Sequence, residues 1–423
     1  MTTEEFDPAT IYPAAPETLS ETGLPESLVD ALVCKYLFSV GEAMGRQVER
    51  DLCLPSKPVK DVLAVLKKDQ HIFYKDQSMG DFKYALSESG RVRARAYLDE
   101  SMYVGPAPVL LEHYIESVKQ QSITVEHPDK AAVREAFSDI LLSEAVLDRL
   151  GPAINSGRGL FLYGFPGNGK TTIAERITRC FGLDIWIPHT IYVDGEIIKF
   201  YDPENHEAVE TRSTLLQDDY DTRWIKIKRP TIVVGGELTM DALELQYNRQ
   251  TKVTEPSIQL KSNCGTLVID DFGRQRMPPI ELLNRWIVPL EKRYDYLILS
   301  NGKKIQVPFD QLIIFSTNLE PKDLVDDAFL RRIPYKINVQ DPTEEEFRAL
   351  MDMFARKLNV AKNADAIDYL IETHYKAKKR PFRCCHPRDL LLQIMNFASY
   401  NGVEPKMERS TFDAACENYF AVL

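Results

Sequence analysis

The stretch "GFPGNGKTT" (164–172) decides how this chain reads. From Gly164 to Thr171 it follows the pattern G-x-x-x-x-G-K-[ST]. Glycines let a backbone turn tightly and aim successive N–H groups inward at phosphate oxygens. Gly164, Pro166, Gly167, Asn168, Gly169, Lys170, Thr171 and Thr172 are therefore the candidate phosphate-binding residues. Lys170 has the reach for the β- and γ-phosphates, and the Thr171 hydroxyl can ligate Mg²⁺. The flanks agree with that reading. "GLFLYG" (159–164) is a short apolar run of strand type. "TTIAERITRCFG" (171–182) has helical spacing, with Ile173, Ile177 and Cys180 or Phe181 on one face and Gly182 at the end. A strand, a glycine loop and a helix N-terminus in series make an anion site.

A second landmark lies about a hundred residues on. "GTLVIDDFG" (265–273) is a continuous apolar run, the mark of a buried parallel strand, and it ends in two acids. Asp270 at the carboxyl end is placed to hold Mg²⁺ beside the phosphate loop, and Asp271 to orient or deprotonate an attacking water. "LIIFSTN" (312–318) reads as another buried strand, closing on Asn318. "DLVDDAFLRRI" (323–333) reads as a helix ending in Arg331 and Arg332. "HPRDLLLQIMNFASY" (386–400) opens a helix with Arg388 in its first turn. A cation there opposes the helix macrodipole and points to an anionic partner.

In this order the motifs resemble those of the AAA+ ATPases. "GFPGNGKTT" stands as Walker A, "TLVIDD" as Walker B, "FSTN" as sensor 1, "AFLRRI" as the arginine-finger box and "HPRDLL" as sensor 2. The resemblance covers about 125 to 400. "LKSNCGTLVIDD", and the Asn-Gly hairpin signal in "YLILSNGKKIQVPF" (296–309), are similar to the MoxR-like branch with a helix-2 insert. The resemblance implies ATP and Mg²⁺ as cofactors, with Lys170 and the loop on phosphates and Thr171 and Asp270 on the metal. It implies Asp271 and Asn318 on the water, Arg388 on the γ-phosphate in cis, and Arg331 or Arg332 reaching it from a neighbour. It further implies a ring, of six subunits, that remodels a macromolecular client. The family usually carries Asp-Glu where this chain has Asp270-Asp271. The shorter acid favours slower turnover or a nucleotide switch.

The 423 residues suit two or three domains. With 44% hydrophobic and 27% charged residues, the composition is that of a soluble globular protein. The net charge of −11 argues against binding nucleic acid mainly by bulk electrostatics. The acidic start, "MTTEEFDPATIYPAAPETLSETG", lacks the basic and apolar regions of a signal peptide, no apolar run suits a membrane span, and the seven scattered cysteines fit a reducing compartment. Cytoplasm, without membrane insertion, is the expectation.

The fold class expected is α/β: an αβα sandwich with a parallel sheet, a C-terminal helical lid and an N-terminal winged-helix-like α+β domain. Residues 1–22 read as a flexible arm, 23–102 as the winged-helix-like domain, 103–124 as a linker helix, 125–340 as the nucleotide-binding core and 341–423 as the lid. The second module rests on helices at 25–39, 41–55 and 56–70, the last capped by Ser56, followed by a hairpin at 71–90. Lys57, Lys60, Lys67 and Lys68 could meet DNA phosphates. Residues 1–100 nevertheless hold 12 Lys and Arg against 17 Asp and Glu, which favours protein contact. The long stretch 183–265 carries a hairpin signal at Asp194-Gly195, in "HTIYVDGEIIKFYD" (189–202).

Overall fold

The structure is a computed structural model that describes residues 13–420 apart from 79, 183, 211–219 and 326. Its centre is a five-stranded sheet: β1 (Leu160–Tyr163), β2 (Thr231–Val234), β3 (Thr266–Ile269), β4 (Leu312–Thr317) and β5 (Tyr335–Asn338). The order is β2-β3-β4-β1-β5, and every pairing is parallel. Strand alternation sorts the apolar residues into two layers. Leu160, Leu162, Val268, Leu312 and Ile314 pack on one side with Ile173 and Ile177. Phe161, Ile232, Leu267, Ile269, Ile313 and Phe315 pack on the other with Leu282, Leu283 and Trp286. Two buried faces give the αβα sandwich that the continuous apolar runs imply. After β1 the chain moves to the far edge, returns through β3 and β4, then crosses β1 to reach β5. The crevice at such a switch point, at the carboxyl ends of the strands, is where open parallel sheets bind ligands.

The C-terminal unit is helical. Glu344–Lys357, Ala364–Tyr369 with the π-helical turn Leu370–Lys376, His386–Asn401 and Arg409–Tyr419 share a core around Phe347, Leu370, Tyr375, Leu390 and Phe412. The N-terminal unit runs helix Glu26–Val40, strand Glu42–Met44, helices Gly45–Asp51 and Ser56–Lys68, hairpin Ile72–Ser78 with Asp81–Leu86, and helix Glu88–Glu100. Its three strands form one antiparallel sheet with Asp81–Leu86 in the middle. Val59, Val62, Leu63 and Leu66 point into its core, as their spacing requires.

Several local readings need correction. Residues 42–44 are a strand rather than helix, because they pair with Lys83–Ala85. Ser56 is not the cap of its helix: Pro55 holds that place, and the Ser56 hydroxyl donates to Glu49 at 2.8 Å. The helix expected over 323–333 is broken into Pro321–Leu324 and Asp327–Leu330. An extended Val325 between them sends both Val325 and Phe329 into the core. Of the expected arm 1–22, residues 1–12 lie outside the described residues. From 13 onward the segment is docked, with Thr22 buried and the Pro13 carbonyl accepting from Asp221 N at 2.7 Å.

The described residues of the stretch 183–265 place strands in three sheets, with short helical turns at Met240–Leu243 and Ile258–Lys261. One is the core sheet, through β2. Another is a two-stranded ribbon, Ile185–Pro188 with Trp224–Ile227. The third is a sheet whose strands run Gln246–Asn248, Val253–Glu255, Glu196–Lys199, Thr190–Val193 and Val109–Leu110. The Asp194-Gly195 hairpin forms as its sequence dictates. Its turn grips the tip of the second expected hairpin, Tyr294–Ile298 with Lys304–Pro308: Ser300 Oγ donates to Glu196 at 2.5 Å, and Lys303 pairs with Asp194 at 2.6 Å. Among the described residues no helix is long and apolar enough to cross a membrane.

Candidate functional site

The phosphate loop leaves β1 at Gly164. Val339 N donates to Tyr163 O at 2.8 Å, so the neighbouring chain runs close. A Cβ on Gly164 would sit 2.4 Å from Val339 O, at a φ of +139°, which leaves glycine as the residue that fits. The loop then feeds the helix Lys170–Ile177, whose buried Ile173, Ala174 and Ile177 hold it to the sheet. A cleft of about 780 Å³ opens above the carboxyl ends of β1, β3 and β4, between the sheet and the C-terminal unit. Its walls carry Pro166 through Thr172, Asp270, Asp271, Asn318 and Arg388. Of these, the residues farthest apart in sequence are Pro166 and Arg388, 222 positions from one another, while Gly164 lies behind the lining.

Their geometry is specific. Lys170 is buried, and its ammonium donates to Gly164 O at 2.9 Å, Phe165 O at 3.0 Å and Asn318 Oδ1 at 2.7 Å. Burial pushes its pKa down, and Asp270 and Asp271 push it back up. The Thr171 hydroxyl donates to Asp270 Oδ2 at 2.8 Å, so the two expected metal ligands touch. Asn318 donates through Nδ2 to Asp271 Oδ1 at 3.2 Å. Asn318 thus stands between the cation of the phosphate loop and the carboxylate expected to meet water. Asp271 has a φ of +47°. Short polar residues visit that left-handed region more readily than long ones, which accounts for an Asp rather than a Glu here.

Arg388 lies in the first turn of His386–Asn401, as read, with its guanidinium 2.9 Å from Asp389. Arg331 and Arg332 are not brought into the cleft. They line a separate hollow of about 600 Å³ with Arg158, Glu291 and Arg293, and Arg332 Nε donates to Glu291 at 2.7 Å.

Sequence reading missed three parts of the site. One end of the cleft is apolar, formed by Ile140, Leu142, Val146, Leu350, Met353 and Phe354. Such residues look like ordinary core in a helical pattern, so nothing in the sequence marks them. A strap also joins the C-terminal unit to the phosphate loop. Cys385 N donates to Gly167 O at 2.9 Å, Cys384 N to Asn168 Oδ1 at 3.3 Å, and Asn168 Nδ2 to Asp341 Oδ1 at 2.7 Å. Arg383 pairs with Asp341 and lies over the Phe165 ring, 4.4 Å from its centroid. Arg274, four residues past Asp270, also reaches the cleft.

Comparison with known proteins adds little to this geometry. A family model described as a domain of unknown function (DUF8689) matches residues 343–418, within the C-terminal unit. No curated protein matches the chain. Among solved structures, a mutant of RuvB from Thermotoga maritima is similar at 14% identity and a TM-score of 0.40, over 68% of this chain and 73% of that one. A Thermotoga maritima RuvB entitled a Holliday junction branch migration motor is similar at 15% identity and a TM-score of 0.38, over 68% of this chain and 73% of that one. NtrX from Brucella abortus in complex with ADP is similar at 15% identity and a TM-score of 0.40, over 66% of this chain and 56% of that one. At these scores the likeness is coarse.

Proposed function

We propose that the chain is an AAA+-type ATPase that binds Mg-ATP in the 780 Å³ cleft and hydrolyses it. The observation that carries this is the meeting of Lys170, the Thr171–Asp270 pair, the Asn318–Asp271 pair and Arg388 around one glycine loop. The donor set fits a hard cation: Thr171 and Asp270 supply oxygens side by side, where Mg²⁺ would neutralise phosphate charge. The loop N–H groups and Lys170 hold the β- and γ-phosphates, and the apolar end suits a nucleobase. Asp271 accepts a proton from the attacking water, and Asn318 positions that water. The water oxygen bonds to the γ-phosphorus as the bond from that phosphorus to the β,γ-bridging oxygen breaks, leaving ADP and inorganic phosphate.

The domain limits, the ring, the cytoplasmic setting and a protein client belong to the same proposal. Arg331 and Arg332 support the ring, since within one chain they lie outside the cleft and a neighbour would be needed to use them. The N-terminal unit has the helix and hairpin order of a winged helix, whose alternative partner is DNA. One observation favours a second reading, a slow nucleotide switch: Asp271 is short and tied to Asn318.

The test is nucleotide binding with and without Lys170. Mg-ATP at a hundredfold excess over its dissociation constant should stabilise the wild type by about 2.7 kcal/mol. Lys170→Ala should lose most of that gain, measured by thermal melting. An equal shift in both proteins would sink the assignment. A shift without phosphate release would favour the switch.

A further inference from the structure

Two exposed arginines of the cleft lining, Arg149 and Arg274, have no part in the proposed mechanism, and Arg274 is the one that follows Asp270 and Asp271 in the chain. It is exposed and lines the cleft at the end formed by Asp270, Asp271, Ser316 and Asn318. Two carboxylates stand close in sequence, yet each has another partner: Asp270 takes the Thr171 hydroxyl and Asp271 takes the Asn318 amide. Among the described residues, the Arg274 guanidinium has no hydrogen bond or ion pair.

The backbone beneath it is firmly held. Phe272 N donates to Ser316 O at 2.7 Å, and Thr317 Oγ1 to Phe272 O at 3.0 Å. Arg274 N donates to Asp271 O at 3.0 Å. Gln275 completes the turn, accepting from Gly273 N at 2.8 Å and donating to Asp270 O at 2.9 Å. A fixed backbone platform thus presents to the cleft a guanidinium without another partner among the described residues, so an anion there need not displace an existing ion pair.

We infer that Arg274 is a binding residue for the terminal phosphate of a nucleoside triphosphate, acting within its own chain and discriminating triphosphate from diphosphate. This rests on the reading of the cleft as a nucleotide site. The loop N–H groups serve the inner phosphates of either nucleotide, and Lys170 spans the β- and γ-phosphates. The end lined by Asp270, Asp271 and Asn318 is where the third phosphate must lie if Asp271 is to meet the attacking water. Two carboxylates there repel a third phosphate, and a guanidinium offsets them. Its planar fork also offers two parallel N–H donors in a fixed geometry that matches a phosphate group, where an ammonium acts as a point charge.

The experiment compares affinities for a non-hydrolysable Mg-ATP analogue and for Mg-ADP in the full chain, by calorimetry, across a range of protein concentrations. Arg274→Ala should weaken the triphosphate by roughly 10- to 100-fold, the worth of charge-assisted hydrogen bonds. Diphosphate affinity should change by less than about twofold, because its contacts lie elsewhere. Arg274→Lys should fall between wild type and alanine. Arg276→Ala, an exposed arginine outside the cleft, should match wild type. An unchanged melting temperature without nucleotide confirms that each variant folds; for Arg274→Ala, a lower one transfers the measurement to Arg274→Lys alone. Equal loss for both nucleotides, or none, would overturn the inference while leaving the cleft's assignment to stand on Lys170→Ala. A loss that appears only at high protein concentration would overturn its action within one chain. A wild type that binds neither nucleotide would overturn both readings.

Discussion

At Asp271 the backbone and the chemistry constrain the same residue. A φ of +47° favours a short polar side chain, and the Asn318 amide holds the carboxylate toward the cleft. The chain therefore keeps an acid at this place but shortens it. Asp271→Asn preserves the shape and removes the base. Turnover should drop on the order of 10²- to 10⁴-fold, as for loss of a general base, while Mg-ATP affinity stays within a few-fold. Single-turnover phosphate release alongside equilibrium binding separates the two effects. Parallel losses in binding and turnover would instead make Asp271 a structural residue. Single residues were also the most legible part of the site. Lys170, Thr171, Asp270, Asp271, Asn318 and Arg388 could be read because each sits at a strand end or a helix start, and all of them line the cleft. Arg274, Asp341 and the apolar wall could not be read. An exposed arginine, a loop acid and a helical leucine are the commonest of residues, and only the fold gives them a common direction.

At the scale of elements, the helix His386–Asn401 links the cleft to the core of the C-terminal unit. Its first residue, His386, is buried with its Nδ1 3.0 Å from the Tyr375 hydroxyl and its ring edge-on to Phe420. Burial, helped by Arg383, pulls its pKa down to about 4. His189 is likewise pulled down to about 4 by burial, in the inserted region. A histidine whose folded pKa lies below its unfolded value, about 6.5, costs nothing at neutral pH. As pH falls below about 6.5 the unfolded chain takes up protons first, and stability is lost until the folded pKa is reached. The melting temperature should therefore decline between about pH 6.5 and pH 4, with His386→Gln showing a shallower decline than wild type. Equal slopes in the two proteins would place the acid sensitivity elsewhere. Elements with a strong apolar run or a clear turn were legible: β1, β3, β4, the Asp194-Gly195 hairpin and the Asn301-Gly302 hairpin. β2 was not, because "TIVV" is too short to tell from the ribbon strands around it. The helix over 323–333 was misread because its apolar spacing survives a break at Val325.

At the scale of the molecule, the N-terminal unit is less separable than its sequence implies. Ile197 of the inserted sheet is buried in the N-terminal core, with Tyr192 and Val253 packed beside it. Arg223 is buried and paired with Asp221, and it also donates to Thr22 O at 3.4 Å and Pro108 O at 3.2 Å. Fragment 106–423 should still bind Mg-ATP, since the cleft draws no residue from before 140. It should melt below the full chain, with the uncovering of Ile197 alone costing about 2 kcal/mol; equal melting temperatures would show the contact to be incidental. Arg331 and Arg332 pose the larger question, because the cleft of one chain does not contain them. An arginine that reaches a neighbour's γ-phosphate meets negative charge as it develops there, and is worth roughly 10³- to 10⁵-fold in turnover. If they act so, turnover per subunit should rise with protein concentration as subunits assemble. The Arg331→Ala, Arg332→Ala double variant should bind ATP as wild type does and lose most turnover. Mixing it with Asp271→Asn should restore part of the activity, because an intact arginine pair then faces an intact cleft across the interface. Neither variant can do this alone. Turnover that is measurable, independent of concentration and unchanged in the double variant would leave a single-chain ATPase, and the hollow around Arg331 and Arg332 would have no part in it.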